Sequence, residues 1–272
     1  MDHAAPAAGG HITTEEIRLA LPLARRADHD QVAPPSLAGT LYLPAEHAHR
    51  AAPPPGLIVG HGAGSRRGRH QGFCRIACDA GFAVLAIDFR GHGESTGDLD
   101  GPAENDIIAA AEWLRRDPRI DADRLCYRGS SMGGYYGVMA MASAEAGIAA
   151  AALVCPAGEQ VLLEGLQRAE CEEERRDLAD RGLELRLDRP AMRKHLESHA
   201  ILEAARWVHC PVLLLHARCD EVVPLARTLS LAEALSGPVD MWIRPGGDHS
   251  SMQGSDDLHR AVARWLALQV AT

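Results

Sequence analysis

The chain has 272 residues, 46% of them hydrophobic, and a formal net charge of −9 at pH 7. That length and apolar content suit one compact domain, 1–272, with a full core, and the negative balance argues against a nucleic-acid backbone as partner. No apolar run reaches the length of a membrane span, and residues 1–13 lack the basic-then-apolar order of a secretory leader.

Residues 1–10, rich in Ala, Pro and Gly, are expected to be a mobile tail. Ile17, Leu19 and Leu21 alternate with polar or small residues and predict a first strand; 37–43 predicts a second. After the stiff connector Pro53-Pro54-Pro55, the wholly apolar run 56–60 reads as a central strand covered on both faces. A glycine-rich loop from His61 to Ser65 leads to a helix over 71–80 and a buried strand over 82–87. The loop 88–95 follows, then a helix over 104–116 with Ile107, Ile108, Ala111 and Leu114 at helical spacing. The apolar run Leu125-Cys126-Tyr127 reads as a strand and 135–143 as a helix. Another strand spans 148–155.

The rhythm breaks at Pro156. Residues 159–207 are dense in Glu and Arg, as in the run 170–177, and for most of these charges a solvated helical face is the expectation. As a block, 157–207 reads as an inserted lid within the domain. Its interspersed Leu162, Leu163, Leu166, Leu178, Leu183, Leu185, Leu187, Met192 and Leu196 suggest amphipathic elements whose apolar side lines a substrate pocket, with a decorative surface insertion as the alternative. Strand-helix alternation resumes at 211–216, with a helix near 225–235, a last strand over 239–243 and a closing helix over 256–269. Alternating helices and apolar strands imply an α/β fold with a doubly wound, mostly parallel sheet.

The centre of this pattern is Arg128-Gly129-Ser130-Ser131-Met132-Gly133-Gly134. A nucleophile on a tight strand-to-helix turn needs small neighbours. Gly129 and Gly133 provide them two residues either side of Ser131, whereas Ser130 would be flanked by Arg128 and Met132. The turn opens a helix, whose N-terminus favours developing negative charge. A serine hydroxyl is a weak nucleophile and needs a base oriented by a carboxylate. Asp220 and His249 lie on loops after strands, in the order Ser, acid, His.

The elbow, the His61-Gly62 loop, Asp88-Phe89-Arg90-Gly91-His92-Gly93-Glu94-Ser95, Asp220 before Val222-Val223-Pro224, and Asp248-His249 together resemble the α/β-hydrolase superfamily over nearly the whole chain except the tail and lid. The stretch 199–224 is also similar to the lid exit and acid loop of small-lid bacterial esterases, including cinnamoyl- and feruloyl-ester hydrolases. The resemblance implies Ser131 as nucleophile, His249 as base and Asp220 as acid, with the backbone N–H groups of Ala63 and Met132 as oxyanion donors. It gives 88–95 a mainly structural part. His61, Tyr135, Leu162, Leu166 and Trp207 are the candidate substrate contacts.

Several rivals remain beside this reading. Glu159 is the alternative acid, while Asp248, although adjacent to His249, is expected to point elsewhere. Arg66, Arg67 and Arg69 either greet an anionic substrate or are ordinary solvated arginines. His61, His92 and His249 invite a metal reading, but none of the three belongs to a His-x-x-x-His pair placed to hold zinc, so no metal and no cofactor is expected. Seven scattered cysteines with no Cys-x-x-Cys pair indicate reduced thiols and a cytoplasmic location, and Cys155 and Cys219 read as small buried residues rather than nucleophiles. Lys194, the only lysine, excludes a Walker A loop and is a poor Schiff-base candidate in its charged surroundings. The expected function is carboxylic-ester hydrolysis through an acyl-enzyme on a small acyl ester or thioester. Thioester hydrolysis or acyl transfer uses the same parts. Peptide hydrolysis and a non-catalytic binding scaffold are lesser readings, and homo-oligomerisation stays open.

Overall fold

The computed structural model describes residues 12–21, 35–44, 52–168 and 185–271. The expected tail 1–10 and lid residues Leu178 and Leu183 lie outside the described residues. β1 (Thr13–Ala20) and β2 (Ser36–Leu43) pair antiparallel, and β2 pairs antiparallel with β4 (Ala83–Ile87). From β4 the order runs through β3 (Pro55–Gly60), β5 (Asp121–Ser130), β6 (Ile148–Val154), β7 (Val212–Ala217) and β8 (Val239–Arg244), all parallel. This is the α/β-hydrolase fold, with its sheet doubly wound and mostly parallel.

Alternation along the strands divides the core. Leu85 and Ile87 face α2 (Glu104–Arg116) and α3 (Met132–Ala142); Val84 and Ala86 face α1 (Gln71–Asp79) and α8 (Asp256–Gln269). Burying each such leucine or isoleucine stabilises by roughly 1.5–3 kcal/mol. The structure lengthens two expected elements. β5 begins at Asp121 rather than Leu125, with a register shift between Leu125 and Cys126 that hides the alternation. α3 begins at Met132, directly after Ser131, and is buried on all sides, so its sequence has little amphipathic signature to mark its start.

Between β6 and β7 the chain contributes α4 (Glu159–Arg168), α5 (Arg189–Ser198) and α6 (Ile201–Ala205), and α7 (Leu225–Ala234) follows β7. Asp188 caps α5 by accepting from the Ala191 N–H, and a proline in its first turn presets the backbone. Leu166, Met192 and Leu196 bury in the main core. Two bonds from α3 hold this stretch to the body, and a third closes it on itself. Tyr135 donates to the His199 carbonyl at 2.8 Å, Tyr136 to Met192 Sδ at 3.3 Å, and the Ile201 N–H to Glu159 Oε2 at 3.0 Å. Residues 186–188 run beside the loop after β4, with Arg186 N–H to the Gly91 carbonyl at 2.8 Å and Leu99 N–H to the Arg186 carbonyl at 2.9 Å.

That loop is a polar knot. Asp88 accepts from the Arg67 N–H at 2.6 Å, the Glu94 N–H at 3.0 Å and the Arg67 guanidinium, and Ser95 Oγ donates to the Asp88 carbonyl at 2.6 Å. Arg90 holds buried Asp106 through its backbone N–H, Nε and Nη2 at 2.8, 2.9 and 2.7 Å. The stretch 88–95 is thus wired into the scaffold, as its expected structural part requires.

Candidate active site

The candidate nucleophile sits between the central strand β5 and α3. Ser131 has φ 50° and ψ −113°, a conformation that costs a non-glycine residue of order 1–3 kcal/mol and persists because the surroundings fix it. Its N–H donates to the Val154 carbonyl at 2.9 Å, and its carbonyl accepts from the N–H groups of Gly134 at 2.8 Å, Ala157 at 3.1 Å and Tyr135 at 3.2 Å. The flanking glycines are required sterically. A Cβ on Gly129 would lie 2.5 Å from the Gly133 carbonyl oxygen, and one on Gly133 would lie 2.7 Å from that of His61 and 2.8 Å from that of Gly60. Backbone atoms cannot yield cheaply, so Gly133→Ala is expected to abolish soluble, cooperatively melting protein, checked by expression yield and thermal melts. Ser130 is the wrong serine physically as well as by register: its Oγ is fully buried and unpartnered, whereas Ser131 is partly accessible.

The carboxylate and imidazole meet beside the elbow. Asp220 Oδ1 accepts from the N–H groups of Val222 at 2.9 Å and Val223 at 2.8 Å; Oδ2 accepts from His249 Nδ1 at 2.7 Å. Burial alone would raise the Asp220 pKa, but the Val223 N–H, the His249 ring and the Cys155 thiol outweigh it and hold the carboxyl below its usual range. Nδ1 therefore carries the shared proton, and Nε2 is left as the acceptor. The Cys155 sulfur and the donor atoms of Asp220 and His249 all lie within 4.8 Å of one another. A thiol, a carboxylate and an imidazole are a plausible zinc set in type. Here Asp220 Oδ1 is taken by two backbone N–H donors and Oδ2 by the imidazole, so the carboxylate already has its partners. No hydrogen bond joins Ser131 Oγ to His249 among the described residues; such contacts often close only around a substrate.

The His-Gly loop passes over the nucleophile. A Cβ on Gly62 would lie 3.3 Å from Ser131 Cβ and 3.9 Å from its Oγ. Ala63 is exposed next to it. Met132 is the first residue of α3, so its N–H has no acceptor a helical turn earlier. His61 is wholly buried: its Nδ1–H donates to the Gly62 carbonyl at 2.7 Å and its Nε2 accepts from the Phe89 N–H at 3.1 Å. With both ring nitrogens used, it braces the loop and has none left for substrate. His92 braces the other side, Nε2 accepting from the Gly64 N–H at 3.2 Å.

Burial lowers His61 to about 4, only partly opposed by its bond to Gly62, and lowers His92 to about 3. The fold thus favours the neutral rings. Their contribution is present above the unfolded value near 6.5 and lost as pH falls toward the folded values. The melting temperature is expected to drop between about pH 6.5 and 4, and His92→Gln to flatten that slope in melts across the range.

The other candidates separate. Leu162 packs with Ala157, Val161 and Val223, beside both the elbow and the acid loop. Leu166 goes instead into the main core. Tyr135 is fully buried one turn beyond Ser131, its hydroxyl committed to His199. Trp207 is not brought to the site. It is 69% exposed and precedes β7, near Gly237, at the opposite edge of the sheet. Glu159 holds Ile201, and Asp248 turns back onto the Ser251 N–H at 2.8 Å. Arg67 is neither solvated nor free for substrate, being bound to Asp88, Glu16 and Glu94.

Sequence reasoning missed two buried supports. His216 Nε2 donates to the Val223 carbonyl at 2.9 Å and its Nδ1 accepts from Thr228 at 2.9 Å, pinning the acid loop. Arg128, also buried, donates to His70 at 2.8 Å and lies 4.9 Å over the Phe73 ring. An arginine just before the elbow gives no sign in sequence that it faces inward.

Comparison with known proteins agrees with this architecture. The chain is 29% identical over 203 residues to the mitochondrial palmitoyl-protein thioesterase ABHD10 of Mus musculus, covering 70% of this chain and 65% of that protein's length. It is 28% identical over 235 residues to an uncharacterised Mycobacterium tuberculosis protein, covering 84% and 74%. Among solved structures it resembles the ferulic-acid complex of Est1E from Butyrivibrio proteoclasticus, with TM-score 0.70, 19% identity and coverage of 88% and 97%. It also resembles the Pyrococcus furiosus esterase Pf2001, with TM-score 0.69, 16% identity and coverage of 95% and 90%. These two likenesses show the fold. Residues 73–271, most of the chain, match the prolyl oligopeptidase family. The chain is an α/β-hydrolase and belongs to the prolyl oligopeptidase family, with esterases and a thioesterase among the proteins it is similar to.

Proposed function

We propose that the chain is a serine hydrolase of carboxylic esters working through an acyl-enzyme. The observation that carries this reading is the 2.7 Å bond between His249 Nδ1 and Asp220 Oδ2, beside a serine held at positive φ on an elbow. Ser131 Oγ attacks the acyl carbon as its proton passes to His249 Nε2. The tetrahedral oxyanion is held by the Ala63 and Met132 N–H groups, each worth roughly 3 kcal/mol of barrier. Collapse expels the alcohol, which takes the proton from Nε2. Water then attacks the acyl-enzyme by the same steps, releasing the acid and restoring Ser131.

Thioester hydrolysis is the second reading, favoured by the likeness to a palmitoyl-protein thioesterase. It needs no further part, because a thiolate is the better leaving group. Peptide hydrolysis, suggested by the family's name, demands stronger protonation of an amine. The segment 157–207 serves as a lid, and the apolar group around Leu162 and Val223 offers a wall for the acyl chain. Among the described residues no helix is long and apolar enough to cross a membrane. No disulfide joins any two of the six cysteines among the described residues.

A panel of matched esters, thioesters and peptide amides of varied acyl length tests this, run with a fluorophosphonate label. The expected result is turnover of esters or thioesters with the adduct on Ser131. An adduct on Ser130, or turnover of amides alone, would sink the assignment.

A further inference from the structure

A groove of about 630 Å³ opens beside the His-Gly loop, over β1, β2 and the start of α1. Arg66, Arg67, Arg69 and Arg75 line it, as do Glu16, Asp88 and Glu94. The three carboxylates do not neutralise it evenly, because all of them converge on Arg67, whose side chain is only 11% exposed. Arg66, Arg69 and Arg75 are exposed, and none of them has an ion-pair partner among the described residues. In a chain of net charge −9, three unshared guanidinium groups around one concavity form a local positive site. Guanidinium forks match the oxygens of phosphate better than a single point charge does.

The groove also lies at a useful distance from the elbow. Ser131 directly follows β5; Thr40 and Tyr42 in the groove wall belong to β2, three strands away across β3 and β4. At the usual strand spacing that is about 14 Å. Gly64 and Ser65, which line the groove, directly follow the candidate oxyanion donor Ala63. An acyl group against Leu162 and Val223 would leave the other arm of its ester or thioester free to follow this loop.

Building on the acyl-hydrolase reading, we propose that the groove binds the phosphate-bearing arm of the substrate. The class is an acyl thioester whose thiol part is a long polar arm ending in phosphates, as in an acyl-coenzyme A. The arginines act by holding that far end, and the elbow chemistry stays the same with or without it.

The test compares one acyl group on coenzyme A and on N-acetylcysteamine, whose arm stops short of any phosphate. The wild type should favour the coenzyme A thioester about tenfold or more in kcat/KM through KM, with the ratio shrinking at high salt. The triple variant Arg66→Gln/Arg69→Gln/Arg75→Gln, altering only exposed unpaired side chains, should bring the ratio to about one and leave the N-acetylcysteamine rate unchanged. A wild-type ratio near one, or a ratio that survives in the triple variant, overturns the proposal. Calorimetry on Ser131→Ala with the phosphorylated nucleotide end of coenzyme A separates the two readings. Arginine-dependent binding alongside inertness of every thioester and ester would refute the hydrolase and keep the groove. Equal competition by inorganic phosphate would reduce the groove to general anion attraction and refute the arm.

Discussion

Replacing Ser131 by alanine is expected to lower turnover by about four to six orders of magnitude while leaving the fold and melting temperature nearly unchanged. The loss is large because nucleophile and base act as a unit: without Oγ, His249 has nothing to deprotonate. The residue left by fixed N–H donors and substrate binding is small. The control is Ser130→Ala. Ser130 Oγ has no partner and no access, so its removal should change turnover by no more than a few fold. Steady-state rates on the best ester of the panel check both. A collapse in Ser130→Ala with an active Ser131→Ala would overturn the register argument.

Asp220→Asn should cost around 10⁴ in turnover. An amide offers Nδ1 no charge and can present its NH₂ group to the ring, so the tautomer with a free Nε2 acceptor is no longer favoured. Little of the loss should appear as unfolding, since an asparagine oxygen can still accept from Val222 and Val223. Glu159→Gln should cost far less, because its oxygen can go on accepting from the Ile201 N–H. Measured together, the two variants locate the acid. Reversed losses would place it after β6.

Much of this architecture was legible. The small-residue register around Ser131, the alternation of buried strands and helices, and the acid and histidine following strands are local patterns with local physical causes. What stayed hidden depends on contacts distant in sequence. The triplet Arg66, Arg67 and Arg69 reads as uniform, yet only Arg67 meets carboxylates brought in from β1 and the loop after β4. Arg128 enters the sequence reading only as a bulky flank of Ser130, and nothing local shows that the strand carries it against His70 and Phe73. Trp207, a candidate contact by sequence, stands five positions before a parallel strand and so lies near that strand's start, whereas chemistry collects at the strand ends. The distance of Tyr135 from Ser131 along α3 does not reveal that its hydroxyl is taken by the His199 carbonyl.

The bond from Ile201 to Glu159 joins the entry of the inserted segment to its exit. A segment tied at its neck is a module that evolution can lengthen or shorten without renegotiating the sheet. Doubling an internal loop costs only about 0.6 kcal/mol of closure entropy, and neither β6 nor β7 has to shift to absorb it. A change of length inside this segment would therefore leave β6, β7 and the strand-to-helix turn at Ser131 where they are.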